Sequence, residues 1–365
     1  MKASRVIATI ISIIIITALM VGCAPQATPT AELTTTDEPA AVEEPAATTD
    51  PNAATSGDAG KWQISADNLK VALLLDGPVN DGGWNEYVYN GLVAIQEKYN
   101  AETAYSESVQ RADMETVFGD YAARGYNVIL AHGYEFTDAA KTVAANYPES
   151  IFIVTHAASG FAGPNTASIQ FEEEQIAFVL GVLAGASTKT NKIACLGGYE
   201  IPAISIPFQA FTLGAQAVNP DVDVTVSWLE TWTDVAKMKE AGIAAIDNGA
   251  DIILPVAVGA NAGGYDAVKE KDVWGVGYSG DASAFAPDNV LGSAIIDTGG
   301  AIVQTVDKIV DGTFTGTDYW YGIKDGTLYM TEFNKEVPQE VIDQVNEWFE
   351  KIKSGEYEVP VKMTF

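Results

Sequence analysis

Two tryptophans stand in polar loops. Trp84 follows Asp81-Gly82-Gly83 and precedes Asn85, and Trp232 lies in Glu230-Thr231-Trp232-Thr233-Asp234. An indole with carboxylate and amide neighbours is an aromatic plate edged by hydrogen-bonding groups, suited to holding a flat heterocycle. On local evidence the competing reading of Trp84 is a core anchor for the helix that follows it. Residues for covalent chemistry are scarce. No serine sits in a G-x-S-x-G turn, and neither H-E-x-x-H nor C-x-x-C occurs. Two cysteines and two histidines leave little for a disulfide framework or a zinc site. Cys195 lies mid-strand among apolar neighbours and reads as a small core residue. His132 and His156 follow strand ends and could line a cleft, but no nucleophile or orienting partner accompanies them. Residues 275–280 fit G-x-G-x-x-G, yet Pro287 interrupts the long helix such a motif must open. The run Glu172-Glu173-Glu174 reads as helix-start acids favoured by the macrodipole. No catalytic constellation emerges, and an enzyme is not expected.

The elements that must position the two plates follow from the apolar pattern. Short continuous apolar runs over 70–75, 127–131, 151–154, 167–169, 192–196, 222–228, 251–254 and 273–276 predict buried strands. Spacings of three and four, as in Trp84, Val88, Leu92 and Ile95, predict helices over 84–99, 138–147, 173–187, 206–218, 234–248 and 263–270. Such alternation argues for an α/β fold of parallel sheets covered on both faces. Both tryptophans then fall beyond the carboxyl end of a strand, where open α/β sheets bind ligands. The helix after Trp232 is expected to be capped by Thr233 or Asp234. About ten strands would make one sheet wide, and the pattern divides near residues 171–173. Two doubly wound lobes are predicted: residues 68–172 with 282–318 as the N-terminal lobe, and 173–281 with 319–365 as the C-terminal lobe. In this division a strand over 290–296 and a helix over 298–311 return to the first lobe. A helix over 338–354 returns to the second.

The start of the chain reads as an address. Lys2 and Arg5 precede an acid-free apolar run over 6–21, the layout of a secretory signal. The run is short of the roughly 20 residues of a comfortable membrane span. It closes Leu19-Met20-Val21-Gly22-Cys23, similar to the lipobox of bacterial lipoproteins with Met20 in a position usually held by Leu. Residues 1–23 are therefore expected to be a lipoprotein signal, with Cys23 the lipidated residue; a plain secretory peptide or an uncleaved anchor is the alternative. Residues 24–67 are rich in Ala, Thr, Pro and acids, with almost no large apolar side chains, and read as a disordered, self-repelling tether. Lipid, tether and globular body together describe a protein held at the outer face of a membrane. Acids outnumber bases 49 to 20, a net charge of −29, so phosphate backbones would be repelled and nucleic acid is not an expected partner.

A resemblance becomes specific when motifs are taken in order along the chain. They are Asp81-Gly82-Gly83-Trp84-Asn85, Phe171-Glu172-Glu173-Glu174-Gln175, Gly197-Gly198-Tyr199-Glu200-Ile201-Pro202, Gly214-Ala215-Gln216-Ala217-Val218-Asn219-Pro220, Thr231-Trp232-Thr233-Asp234 and Asn248-Gly249-Ala250-Asp251. Together, over about residues 69–296, they resemble the basic membrane protein (BMP) family, the PnrA-like lipoprotein substrate-binding components of ABC transporters. The resemblance implies a type I periplasmic-binding-protein fold, two lobes on a three-strand hinge closing on ligand. It implies an ABC permease with a cytoplasmic ATPase as partner and no cofactor or metal.

Carried over residue by residue, the resemblance makes Trp84 and Trp232 the plates for a purine nucleobase or nucleoside. It makes Asp81, Asn85 and Asp138, in Tyr134-Glu135-Phe136-Thr137-Asp138, the groups facing the base, and puts Asn261 in the glycine-rich loop of the second lobe. The sugar side departs from the family. Its G-V-D strand end, whose Asp holds ribose, reads Gly275-Val276-Gly277, and its S-x-x-K lysine is Ile296. The loss of both ribose anchors argues for a bare purine base, with Asp281 and Asp297 available to accept from exocyclic N–H groups; base and nucleoside both stay open. A sugar or signalling molecule bound by a sensor of the same fold, without transport, is the alternative, and an extracellular nucleoside-processing enzyme a third.

Overall fold

The computed structural model describes residues 62–80 and 83–363. The expected signal, Cys23, nearly all of the tether, and Asp81 lie outside the described residues.

Two six-stranded sheets carry the architecture. The first is built from β1 (Lys70–Leu75), β2 (Glu102–Ser106), β3 (Val128–His132), β4 (Ile151–Thr155) and β5 (Thr166–Phe171). Its helices are α1 (Trp84–Tyr99), α2 (Met114–Ala123) and α3 (Thr137–Ala144). The chain then crosses through α4 (Glu173–Ser187) to the second sheet: β6 (Lys192–Gly197), α5 (Pro202–Val218), β7 (Asp223–Trp228), α6 (Val235–Asp247), β8 (Ile252–Val256), α7 (Asn261–Lys271), β9 (Trp274–Ser279) and β10 (Val290–Ile296). After α8 (Thr298–Val310) comes β11 (Asp318–Tyr321), then β12 (Leu328–Met330) and α9 (Gln339–Lys353).

Strand order is β11-β5-β4-β3-β1-β2 in one sheet and β12-β10-β9-β8-β6-β7 in the other. Every pairing is parallel except β10 with β12. The continuous apolar strands are explained by burial on both faces. In β1, Val71, Leu73 and Leu75 join one apolar cluster while Ala72 and Leu74 join another on the opposite face. Helix α4 is buried on nearly all sides, and α5 lies directly on it. A side chain on Gly214 would collide with the Phe178 carbonyl, and one on Gly181 with the Phe211 carbonyl, so the backbones meet where no Cβ fits.

The strand over 290–296, expected in the first lobe, belongs to the second sheet. It pairs parallel to β9, reached by the short connection 280–289, and antiparallel to β12. Residues 318–321 instead pair with β5 and complete the first sheet. Helix α8 packs on α1, where a Cβ on Gly91 would stand 2.6 Å from the Gly299 Cα. The chain thus passes between the sheets three times: from β5 into α4, from β10 towards α8, and from β11 to β12.

Candidate ligand-binding site

Ignoring the outermost added strand, each sheet has its first strand flanked by its second on one side and its third on the other. At this reversal the connecting segments leave to opposite faces and open a crevice beyond the strand ends. In the first sheet Leu75, His132 and Thr155 end β1, β3 and β4 level with one another. The chain leaving β1 enters α1 at Trp84. Its indole centre lies 3.9 Å from the His132 ring at 35° and 5.0 Å from His156, with 36% of the residue exposed. In the second sheet Gly197 is level with Trp228 and Val256. Gly198 donates its amide to the Val256 carbonyl (3.0 Å), and a Cβ on it would collide with the Trp232 ring. Tyr199 packs 5.2 Å from that ring, and the Trp232 carbonyl accepts the Ala260 amide (3.0 Å). Each indole therefore sits over the order reversal of its own sheet. Their ring neighbours belong to their own lobes, histidines for Trp84 and Tyr199 for Trp232.

Beneath Trp84 runs a buried polar chain. His132 Nδ1 lies 2.6 Å from Thr155 Oγ1. Burial first, and then the neighbouring His156, hold the His132 pKa well below the usual histidine range, so its ring is neutral. His156, in the left-handed backbone region at φ 56°, places Nε2 3.5 Å from Glu173 Oε1. The other Glu173 oxygen accepts the Tyr278 hydroxyl at 2.6 Å. Burial and the Glu173 charge push Tyr278 well above its ordinary pKa and keep it a donor. A side chain at the start of α4 thereby links the floor of the first plate to β9 of the second sheet. The acids at 173 and 174 stand in the first turn of α4, as the sequence suggested, and the crossing buries both. Glu174 lies 3.8 Å from Lys362, and burial raises its pKa to about 7.

The remaining expected site residues divide by place. Asn85 is buried, and a Cβ on Gly77 would stand 2.6 Å from its Nδ2, so it shapes the loop leaving β1. Tyr134 is 68% exposed in a single 3-10 turn beyond β3, and Asp138 is exposed in the first turn of α3. Asn261 Oδ1 accepts the Ala257 amide (2.6 Å) at the start of α7. Gly277 lies within β9, where any side chain would collide with Ser293 Oγ. Asp281 is exposed and accepts the Ser283 amide (2.8 Å); Asp297 caps α8 by accepting the Gly300 amide (2.7 Å). Of the two candidate caps of α6, Asp234 holds the role, accepting from Lys237 at 3.0 Å.

Glu135 went unnoticed in the sequence. Its carboxyl folds over Gly133 and bonds the Asp76 carboxyl, and burial, the main cause, raises its pKa to about 7. The sequence signal available was an acid directly after β1, Asp76, and another two residues past Gly133 at the end of β3. Among the described residues no group of three or more His, Cys, Asp or Glu could hold a metal ion. Cys195 is fully buried, and burial pushes its thiol pKa up, which leaves it inert. No helix follows β9 closely, so residues 275–280 do not cradle a dinucleotide. Concavities of about 560 Å³ along α9 and about 320 Å³ between α1 and β2 are lined by none of the expected site residues.

Two parallel-sheet lobes, thrice connected, with an aromatic over each order reversal, have the architecture of periplasmic solute-binding proteins. A solute-binding protein of an ABC transporter system from Conexibacter woesei superposes with a TM-score of 0.71 at 22% identity, over 81% of this chain and 100% of that one. Over residues 68–363 the chain matches, and belongs to, the Bmp family, described as ABC transporter substrate-binding protein PnrA-like. A purine-binding protein of Brucella abortus is 29% identical over 295 residues, 80% of this chain and 82% of its own. A Haloferax volcanii protein whose name assigns it glucose binding is 29% identical over 299 residues, 80% of this chain and 74% of its own. Transcriptional activator protein med of Bacillus subtilis is 28% identical over 273 residues, 74% and 84%. Among the described residues no helix is long and apolar enough to cross a membrane.

Proposed function

We propose that this substrate-binding protein captures a purine, a free base in preference to a nucleoside, between Trp84 and Trp232. It would deliver that ligand to a permease driven by a cytoplasmic ATPase, while a lipid on Cys23 and the acidic tether hold it at the outer membrane face. The observation that carries this reading is the matched placement of the two indoles, each over the order reversal of its own sheet. Hinge closure across three crossing segments would bring the plates onto opposite faces of one planar ligand. Stacking with a few hydrogen bonds supplies micromolar affinity, about 8 kcal/mol. Neutral His132 under Trp84 keeps that plate free of positive charge at neutral pH. The packing of Ser293 into Gly277 leaves no room for the carboxylate that would hold ribose, and Ile296, in the place of the family's lysine, is buried with the apolar core.

Calorimetric titration with nucleobases, nucleosides and sugars tests the reading. Trp84→Ala and Trp232→Ala are each expected to cost about 1–3 kcal/mol of purine binding, roughly 5- to 150-fold, with unaltered circular dichroism. Unchanged affinity in both variants would discard the sandwich. The glucose-named relative supports the competing sugar reading; saturable heat with hexoses and none with purines would establish it. For the anchor, Cys23→Ala should abolish incorporation of radiolabelled fatty acid into the protein.

A further inference from the structure

The purine reading leaves open what limits the size of the ligand, and the residue next along α1 addresses it. Trp84 and Tyr87 are three residues apart on one helix, so they share a face one turn, about 5 Å, apart. Tyr87 crosses from the first lobe to the second. Its hydroxyl lies 3.4 Å from the Asp281 amide nitrogen and 3.0 Å from where a Cβ on Gly280 would sit, both in the loop leaving β9. Burial first, and then the nearby Asp297 carboxylate, raise the pKa of Tyr329 in β12.

Some of the polar groups of this region are engaged by the protein itself. Ser293 Oγ fills the position beside Gly277 and accepts the Ala282 amide (3.0 Å). Asp281 and Asp297 each accept a main-chain amide. Moving from the first plate towards the loop leaving β9, a ligand meets the phenol of Tyr87.

We propose that Tyr87 is a specificity-determining residue: its ring occupies the place that a pentose on a Trp84-stacked base would need, restricting the ligand to a free nucleobase. This rests on the purine reading. The test is calorimetric titration of the full chain and of Tyr87→Phe, Tyr87→Leu and Tyr87→Ala with adenine and adenosine. The wild-type chain is expected to prefer adenine at least tenfold. The preference should shrink as the side chain shrinks, from Phe through Leu to below threefold in Ala, because adenosine binding strengthens.

A gain of adenosine binding cannot come from unfolding, and the graded series keeps a readout if one variant fails to fold. Adenine bound with an unchanged preference across the folded variants would overturn the assignment and leave the purine reading standing. So would a wild-type chain that binds both ligands equally. Binding of neither ligand by the wild-type chain would remove the purine reading and this inference together.

Discussion

Gly277 sits in β9 with the Ser293 hydroxyl of β10 where a side chain would be, and Ala282 Cβ would stand 2.7 Å from any Cβ added there. A methyl group at 277 overpacks this contact, so Gly277→Ala should cost about 1–3 kcal/mol in urea unfolding. Adding Ser293→Gly should return only part of that loss, since the Ala282 contact persists and the Ala282 amide loses its acceptor; a double variant no better than the single would show that the Ser293 contact is not the main clash. In the sequence, position 277 is legible only as a family carboxylate replaced by glycine. Its cause sits sixteen residues away on the neighbouring strand, and pairing partners are not written in local pattern. The buried acids teach the same point. Glu172-Glu173-Glu174 carries no local sign of burial, because a tertiary crossing and a tyrosine from another sheet surround it. By contrast the position of the two tryptophans beyond strand ends was legible, since each follows an apolar run that stops in a polar loop.

Elements fared according to how strongly their period is expressed. The helices Trp84–Tyr99 and Glu173–Ser187 have the bounds expected of them, and the fully apolar strands lie where their runs predict. Strand β2 and helix α2 were not foreseen. The edge sequence Glu-Thr-Ala-Tyr-Ser is only half buried, so it lacks the continuous apolar run of its neighbours. Strand 290–296 is evident in the sequence as a strand but its place in the second sheet is not, because residue type fixes extended structure and not the neighbour.

The crossing element α4 carries a prediction of its own. Tyr278→Phe removes the hydroxyl that donates to the Glu173 carboxylate at 2.6 Å and leaves a buried acceptor short of a donor. The loss should be about 1–3 kcal/mol in unfolding free energy. Glu173→Gln should cost less, since its amide oxygen still accepts from Tyr278; the reverse order in chemical denaturation would place the strain in the charge.

At the scale of the molecule, pH reports on the crossing. Folded, the Glu174 carboxyl keeps its proton to about pH 7, against an ordinary value of 4.5. Between those values the folded state binds more protons than the unfolded state, so this group makes stability fall as pH climbs. His132 acts in the opposite sense: its pKa is lowered on folding, so its contribution is lost as pH falls below the unfolded value. The difference between wild type and Glu174→Gln isolates the carboxyl. The variant's relative stability should rise by about 2–3 kcal/mol from pH 4 to pH 8, read as unfolding midpoints at each pH. A flat difference would mean that the carboxylate is solvated by motions of the Lys362 segment.

The threefold passage between sheets also sets a schedule. Strand β11 completes the first sheet by pairing with β5, and the Ser168 hydroxyl donates to Asp318 across a separation of 150 residues. Because the chain enters its folding compartment from one end, the edge of β5 must wait for a neighbour far along the sequence. An amino-terminal half released alone would present that bare, apolar edge to any other extended chain. Fragments ending between β5 and β11 should form higher-order species in light scattering, whereas the finished polypeptide should not.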